Sequence, residues 1–352
     1  MKRESRLVKF LLASSYVPFI KGGGTAIVEW LEKKLIEYGH DVETIFLPFV
    51  ESMDDMFDQM LSYRLLDMSD SADRMIAFRP PAYLLKHPHK VLWFIHHIRA
   101  YYDLWGSDYC GIPDTPRNRA FRQRLMDVDN VGLTESKHIF TNSQIVSNRL
   151  HHFNGIPSEV LYPPVLDPTQ FYCESYEPVI VCVCRMEHHK RQHLLVEAMR
   201  YTQSNARLVL AGKSHSASYP RKLKMTVLKH CLQNKVQILD RWISETEKSQ
   251  LLASCAAAAY LPFDEDSYGY PSIEAQHACK AVLTTTDSGG VLELVEDGVN
   301  GFITEPDPRA IAQAIDRLVE TPGLAERMGH TGPRRMTQLG INWDHVIRRL
   351  TA

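Results

Sequence analysis

Apolar residues fall into short runs separated by segments of helical spacing, and the two alternate along most of the chain. In the second half the runs are 179–184, 207–211, 236–239, 256–261, 281–285 and 301–304. Between them lie helical segments near 190–200, 221–232, 245–253, 272–278, 291–296 and 310–320. Near-continuous apolar strands in alternation with helices predict a parallel sheet covered on both faces, as in a Rossmann-like domain. The first half repeats the alternation less cleanly, with strands at 7–13, 42–47, 74–78, 91–95, 138–141 and 159–161. A helix over 25–38 carries Ile27, Trp30, Leu31, Leu35 and Tyr38 on one face, and Asn142-Ser143 reads as the cap of a helix over 144–153. Segment 166–178 has the Pro-rich, polar composition of a linker. The predicted organisation is α/β: a first Rossmann-like domain over 1–165, the linker, a second over 179–339, and a short amphipathic helix at 343–350 with Val346, Ile347 and Leu350. A cleft between two such domains is where a ligand is expected.

Composition narrows the classes. A length of 352 residues suits two domains, and 44% hydrophobic with 23% charged residues is that of an ordinary globular protein. A net charge of −2 argues against nucleic acid as a partner. Seven scattered cysteines read as reduced core thiols of a cytoplasmic protein. No apolar stretch reaches the roughly 18–20 residues of a membrane span. The basic opening runs straight into 7–13, which reads as a strand and not as a signal segment.

Five places offer chemistry. In Asp266-Ser-Tyr-Gly-Tyr-Pro-Ser-Ile-Glu274 one acid lies on a loop after a strand and the other in the first turn of a helix. That edge of an open α/β sheet is where ligands bind, and the helix N-terminus suits a phosphate. The alternative is a polar loop with a dipole-complementing acid; Asp264 and Glu265 also leave the identity of the first acid open. Arg185-Met-Glu-His-His-Lys190 puts two cations at the same edge, fit for a diphosphate or, failing that, a solvated basic loop. Lys21-Gly-Gly-Gly-Thr25, containing Gly22, Gly23 and Gly24, opens a helix and would let backbone approach an anion; its alternative is a flexible turn. It matches neither dinucleotide nor P-loop spacing. His96 and His97 end a strand in the first half, as sugar-binding groups or as packing residues. Thr286-Asp-Ser-Gly-Gly290 precedes a helix with Glu293, offering the N–H groups of Gly289 and Gly290 to a ligand or forming a capped turn. The paired histidines lack the companions of a metal site, so no metal is expected.

Taken together these residues resemble the family-4 retaining glycosyltransferases, which have the GT-B fold: two Rossmann-like domains facing each other across a cleft. The likeness is clearest over about 170 residues, 179 to 340. It rests on Arg185-x4-Lys190, Asp266-x7-Glu274, Asp287-Ser-Gly-Gly-Val-Leu-Glu293 and Asp297-Gly-Val-Asn-Gly-Phe302. The resemblance implies that Arg185 and Lys190 hold the diphosphate of a UDP- or GDP-linked sugar and that Glu274 binds ribose hydroxyls. It places Asp266 at the transferred sugar, with His97, or His96, nearby. Backbone at Ser272 and Ile273, beside Tyr270, would cap the phosphates, and Gly23 and Gly24 would approach from the first domain. The stretch 239–243, with Arg241 and Trp242, resembles the nucleobase wall. The family usually needs no metal, keeps the anomeric configuration, and returns its last helix, here 340–352, to the first domain. Asp266 is one methylene shorter than the family's glutamate, so a weakly active or non-catalytic sugar-nucleotide binder is the alternative.

The acceptor implied is a glycan or a lipid-linked molecule, as in polysaccharide or glycoconjugate synthesis. Segment 52–68 carries Met53, Met56, Phe57, Met60, Leu61, Leu65 and Met68 at roughly helical spacing, and Arg117, Arg119, Arg122 and Arg124 crowd one stretch. An apolar face with clustered arginines suits peripheral contact with the inner face of a membrane; the alternative is a core-facing helix beside a solvated one.

Overall fold

The computed structural model describes residues 8–18 and 22–352. The chain forms two compact units, Met1–Pro164 with Ile341–Ala352, and Val165–Gly340. The first unit contains β1 (Lys9–Tyr16), α1 (Gly23–Glu37), β2 (Asp41–Pro48), α2 (Met56–Leu65), β3 (Arg74–Ala77), β4 (Lys90–Phe94), α3 (Pro116–Thr134), β5 (His138–Thr141), α4 (Gln144–Asn154) and β6 (Glu159–Val160). Its strands are all parallel, in the order β2-β1-β3-β4-β5-β6. Alternate side chains serve opposite faces, as a strand requires. Leu11, Ala13, Met75, Ala77, Leu92 and Phe94 join one core with α2, α3 and α4, while Phe10, Leu12, Ile76, Phe78, Val91 and Trp93 join the other with α1.

The second unit contains β7 (Glu177–Val183), α5 (Gln192–Ala198), β8 (Arg207–Ala211), α6 (Ser218–Lys229), β9 (Val236–Leu239), α7 (Glu245–Ser254), β10 (Cys255–Ala259), α8 (Tyr270–His277), β11 (Ala281–Thr285), α9 (Val291–Leu294), β12 (Gly301–Thr304), α10 (Pro308–Glu320) and α11 (Leu324–Gln338). Its parallel sheet has the order β12-β11-β10-β7-β8-β9. Order reverses between β1 and β3 in one sheet and between β7 and β10 in the other, and loops at such points gather ligands. The last helix, α12 (Trp343–Thr351), belongs to the first unit: Trp343, Val346, Ile347 and Leu350 are buried in the α1-side core.

Several expectations change. The strand expected at 7–13 runs Lys9–Tyr16, with Leu7 outside the described residues. The expected linker 166–178 is packed onto the second unit: Phe171 is buried and the Glu174 N–H donates to the Ala253 carbonyl at 2.8 Å. The methionine-rich segment is a helix, but Met56, Met60 and Tyr63 turn into the core, with Met53, Phe57 and Met68 packed alongside. Nearby, Arg122 donates to the Tyr101 carbonyl at 2.6 Å and Arg124 lies over the Phe57 ring. Packing thus takes up part of the face offered to lipid, while Leu61 and Leu65 remain exposed. All seven cysteines are free, but Cys173 and Cys231 are exposed and not core residues. Among the described residues no helix is long and apolar enough to cross a membrane.

Candidate active site

The second unit's candidate residues collect on the loops that follow its strands. After β7 the chain turns through His188–Lys190 into a left-handed Arg191 (φ 54°). This turn sends Lys190 inward, where it is 8% exposed, while Arg185 stays exposed with a guanidinium nitrogen 3.3 Å from His215 Nε2. The two cations expected to act as a pair thus point into different surroundings.

Lys190 Nζ donates to the Tyr260 hydroxyl at 2.8 Å and to the Glu265 carboxylate. Tyr260 in turn donates to Glu265 at 2.8 Å. Burial, with Glu265 beside it, pushes the Tyr260 phenol far above its usual range, so it stays protonated as a donor. The triangle bridges the β7 and β10 loops at the point where strand order reverses. Of the three adjacent acids it is Glu265 that meets Lys190; Asp266 is the one expected at the transferred sugar.

Backbone contacts explain that choice. The N–H groups of Asp264 and Glu265 donate to the carbonyls of Asp287 and Ser288, and the Gly290 N–H donates to the Glu265 carbonyl at 2.8 Å. A Cβ on Gly289 would stand 2.5 Å from the Glu265 backbone, and one on Gly290 2.6 Å from that of Ser267. The two glycines let the β11 loop clamp the acidic loop; the Gly290 N–H expected to meet a ligand is used in that clamp. Arg191, which sequence reasoning missed, completes it. Its guanidinium forks onto Asp287 at 2.7 Å and donates to the Pro262 carbonyl and the Thr285 hydroxyl. Burial alone would raise the Asp287 pKa, but the Arg191 bonds and charge outweigh it and the net shift is downward.

Glu274 sits in the first turns of α8, 5% exposed, with an oxygen 2.5 Å from Lys248 Nζ. Burial raises its carboxyl to about 7, against the opposing pull of Lys248. Lys248 lies on α7 and carried no sequence signal linking it to Glu274. Tyr270 opens α8, its phenol pushed up by burial and then by Glu274. Gly269 caps the helix at φ 67°, where a Cβ would meet the Tyr260 ring at 2.3 Å. The Ser272 N–H donates to the Gly269 carbonyl at 3.1 Å, closing the first turn, and its buried hydroxyl has no partner among the described residues. Ile273 is fully buried and contributes packing. After β8 and β9, an open hollow of about 410 Å³ is lined by Lys213, Ser214, Ala217, Asp240, Arg241 and Trp242. Trp242 is 67% exposed there, and Arg241 is held by Glu247 at 2.7 Å.

In the first unit, Gly22 precedes α1, and Gly23 and Gly24 form its first turn; Lys21 lies outside the described residues. Among the described residues no side chain caps this helix and no acid occupies its first turn. His97, expected near the sugar, is buried, 3% exposed. Its Nε2–H donates to Asn154 Oδ1 at 2.9 Å and its ring stacks on Tyr102 at 4.1 Å. Burial lowers its pKa to about 4, so it is neutral near pH 7. His96 is the half-buried one. Its Nδ1–H donates to the His97 carbonyl at 2.7 Å, which leaves Nε2 as an acceptor. Burial, then the nearby Arg79, lower its pKa to about 3. Among the described residues no group of three His, Cys, Asp or Glu could hold a metal ion.

Residues 173–335 match the family model described as glycosyl transferases group 1. Human alpha-1,3/1,6-mannosyltransferase ALG2 is 27% identical over 267 residues, 65% of this chain and 63% of that protein. Alpha-maltose-1-phosphate synthase of Mycobacterium tuberculosis is 27% identical over 212 residues, 56% of this chain and 54% of that protein. The chain thus spans less than two thirds of these curated relatives. Among solved structures, sucrose-phosphate synthase from Thermosynechococcus elongatus superposes with a TM-score of 0.75 at 16% identity, over 97% of each chain. Anabaena Alr3699/HepE in complex with UDP and glucose gives 0.71 at 18%, over 98% of each. The fold is GT-B, as the sequence predicts.

Proposed function

We propose that the protein is a retaining glycosyltransferase that moves a sugar from a nucleoside-diphosphate donor, UDP- or GDP-linked, to an acceptor hydroxyl. The observation that carries this reading is the meeting of Lys190, Tyr260 and Glu265 at the second sheet's switch point, with Glu274 at the start of α8 beyond the same sheet edge. The match to group 1 glycosyl transferases over that unit supports it. So does the fold shared with a protein solved with UDP and glucose.

In this reading Lys190 and Arg185 stabilise charge on the departing diphosphate. The bond between the anomeric carbon and the phosphate oxygen breaks with its electrons going to that oxygen. The acceptor oxygen bonds to the same face of the anomeric carbon, and its proton passes to the departing phosphate. Glu274 binds ribose hydroxyls, Trp242 and Arg241 flank the base, and His96 accepts from a sugar hydroxyl. No metal is required, since side-chain cations carry the charge. The acceptor would be a glycan or lipid-linked molecule of polysaccharide or glycoconjugate synthesis. A cytoplasmic location accords with seven unpaired thiols.

The test is thermal stabilisation by UDP, GDP and ADP, with Lys190→Ala as control. Ligand at a hundred times its dissociation constant adds about 2.7 kcal/mol. A shift with one diphosphate, lost in the variant, supports the reading; no shift with any of them removes it. The second reading is a sugar-nucleotide binder with little turnover, motivated by the short Asp266. If Glu265 supplies the acid, Asp266→Asn keeps turnover within about tenfold while Glu265→Gln loses about a hundredfold. Binding without measurable transfer in the wild type favours the binder.

A further inference from the structure

Helix α6 reads Ser218-Tyr-Pro-Arg-Lys-Leu-Lys-Met-Thr-Val-Leu-Lys229 and contains four cations and no acid, in a chain whose net charge is −2. Its inner face is spent on the core: Tyr219, Leu223 and Val227 are buried. The outer face is unusual. Met225 and Leu228 are 63% and 61% exposed, and Arg221, Lys222, Lys224 and Lys229 are exposed with them. With Arg221 as origin, Leu228 falls about 20° to one side and Met225 about 40° to the other. Lys224 flanks them at about 60° on the Leu228 side, and Lys229 and Lys222 at about 80° and 100° on the Met225 side. Among the described residues none of the four cations forms an ion pair.

A merely solvated helix needs no large apolar side chain at the centre of its outer face. An apolar centre with cationic margins is the arrangement that lies along a lipid interface, apolar groups dipping in and ammonium groups meeting headgroups. We propose that the outer face of α6 docks on an anionic lipid surface. This surface is separate from the methionine-rich segment of the first unit, and the proposal stands whatever sugar the site transfers. Each cation near an anionic leaflet is worth about fivefold in partitioning. Burying parts of Met225 and Leu228 is worth about tenfold.

The experiment is flotation of the full chain with phosphatidylglycerol-containing vesicles, against pure phosphatidylcholine, at low and high salt. The wild type is expected to float with the anionic vesicles at low salt and to be released by salt. Lys222→Glu with Lys224→Glu should weaken binding by about 25-fold or more, and Met225→Ser with Leu228→Ser by about tenfold. All four positions are exposed, so unchanged thermal unfolding checks that the variants remain folded. Absence of the wild type from the anionic vesicles at low salt overturns the proposal. So does equal binding to neutral vesicles. Loss in the charge variant with full retention in the apolar variant also overturns it, because a solvated cationic patch held off the surface behaves that way.

Discussion

A buried ammonium group is costly unless partners surround it, and Lys190 has the Tyr260 hydroxyl and the Glu265 carboxylate. Lys190→Ala removes a charge contact to the proposed donor and leaves Glu265 without its cation. The expected loss in kcat is roughly 10²–10³, read with whichever donor the thermal scan identifies. Glu274 makes a separate prediction through pH. Burial raises its pKa from 4.5 to about 7, so between those values the folded chain holds a proton that the unfolded chain has released. Its contribution to stability is largest below about 4.5 and is lost as pH rises through about 7. Denaturant midpoints should therefore fall with rising pH across that window, and Glu274→Gln should flatten the slope. A slope unchanged in the variant would assign it to another group, with Asp129, raised by burial to about 7, the first to examine.

At the level of elements, the clamp between the β10 and β11 loops sets which acid faces Lys190. Gly290 has an ordinary φ, so Gly290→Ala tests space alone. Its Cβ would sit 2.6 Å from the Ser267 backbone, and overpacking of this kind costs about 1–3 kcal/mol. The acidic loop must shift, so turnover should fall together with the urea midpoint; full activity would mean that the clamp does not position the acid. The strands were legible because buried parallel strands are nearly continuous apolar runs. Helix α11 was not, because Gly329, Gly332 and Pro333 read as breakers. Gly329 is there for close approach: a Cβ would stand 1.8 Å from the Cys279 carbonyl oxygen. In the site, Lys190 and Glu274 could be picked from spacing. Glu265 could not be separated from its acidic neighbours, since only the loop's backbone bonds choose among them. Lys248 and Arg191 were invisible because their partners are distant in sequence.

For the whole molecule, the chain passes from one unit to the other after Pro164 and returns at Ile341. The first unit's core is completed by Trp343, Val346, Ile347 and Leu350 of α12. Ile347→Ala and Leu350→Ala should each cost about 2–5 kcal/mol. The loss should appear as faster hydrogen exchange over the first unit, with the second unit's strands unchanged. Equal acceleration in both units would show that the two do not unfold separately.

That arrangement inverts the usual order of events on a ribosome, where the leading domain folds first. Residues 8–164 emerge early, yet the helix that completes the core of Ile27, Leu31 and Ile76 is made only after the whole of Val165–Gly340. The later unit is contiguous and can close on its own while the earlier one still waits with an apolar flank uncovered. A chaperone that meets this chain during synthesis should hold residues 8–164 longer than Val165–Gly340.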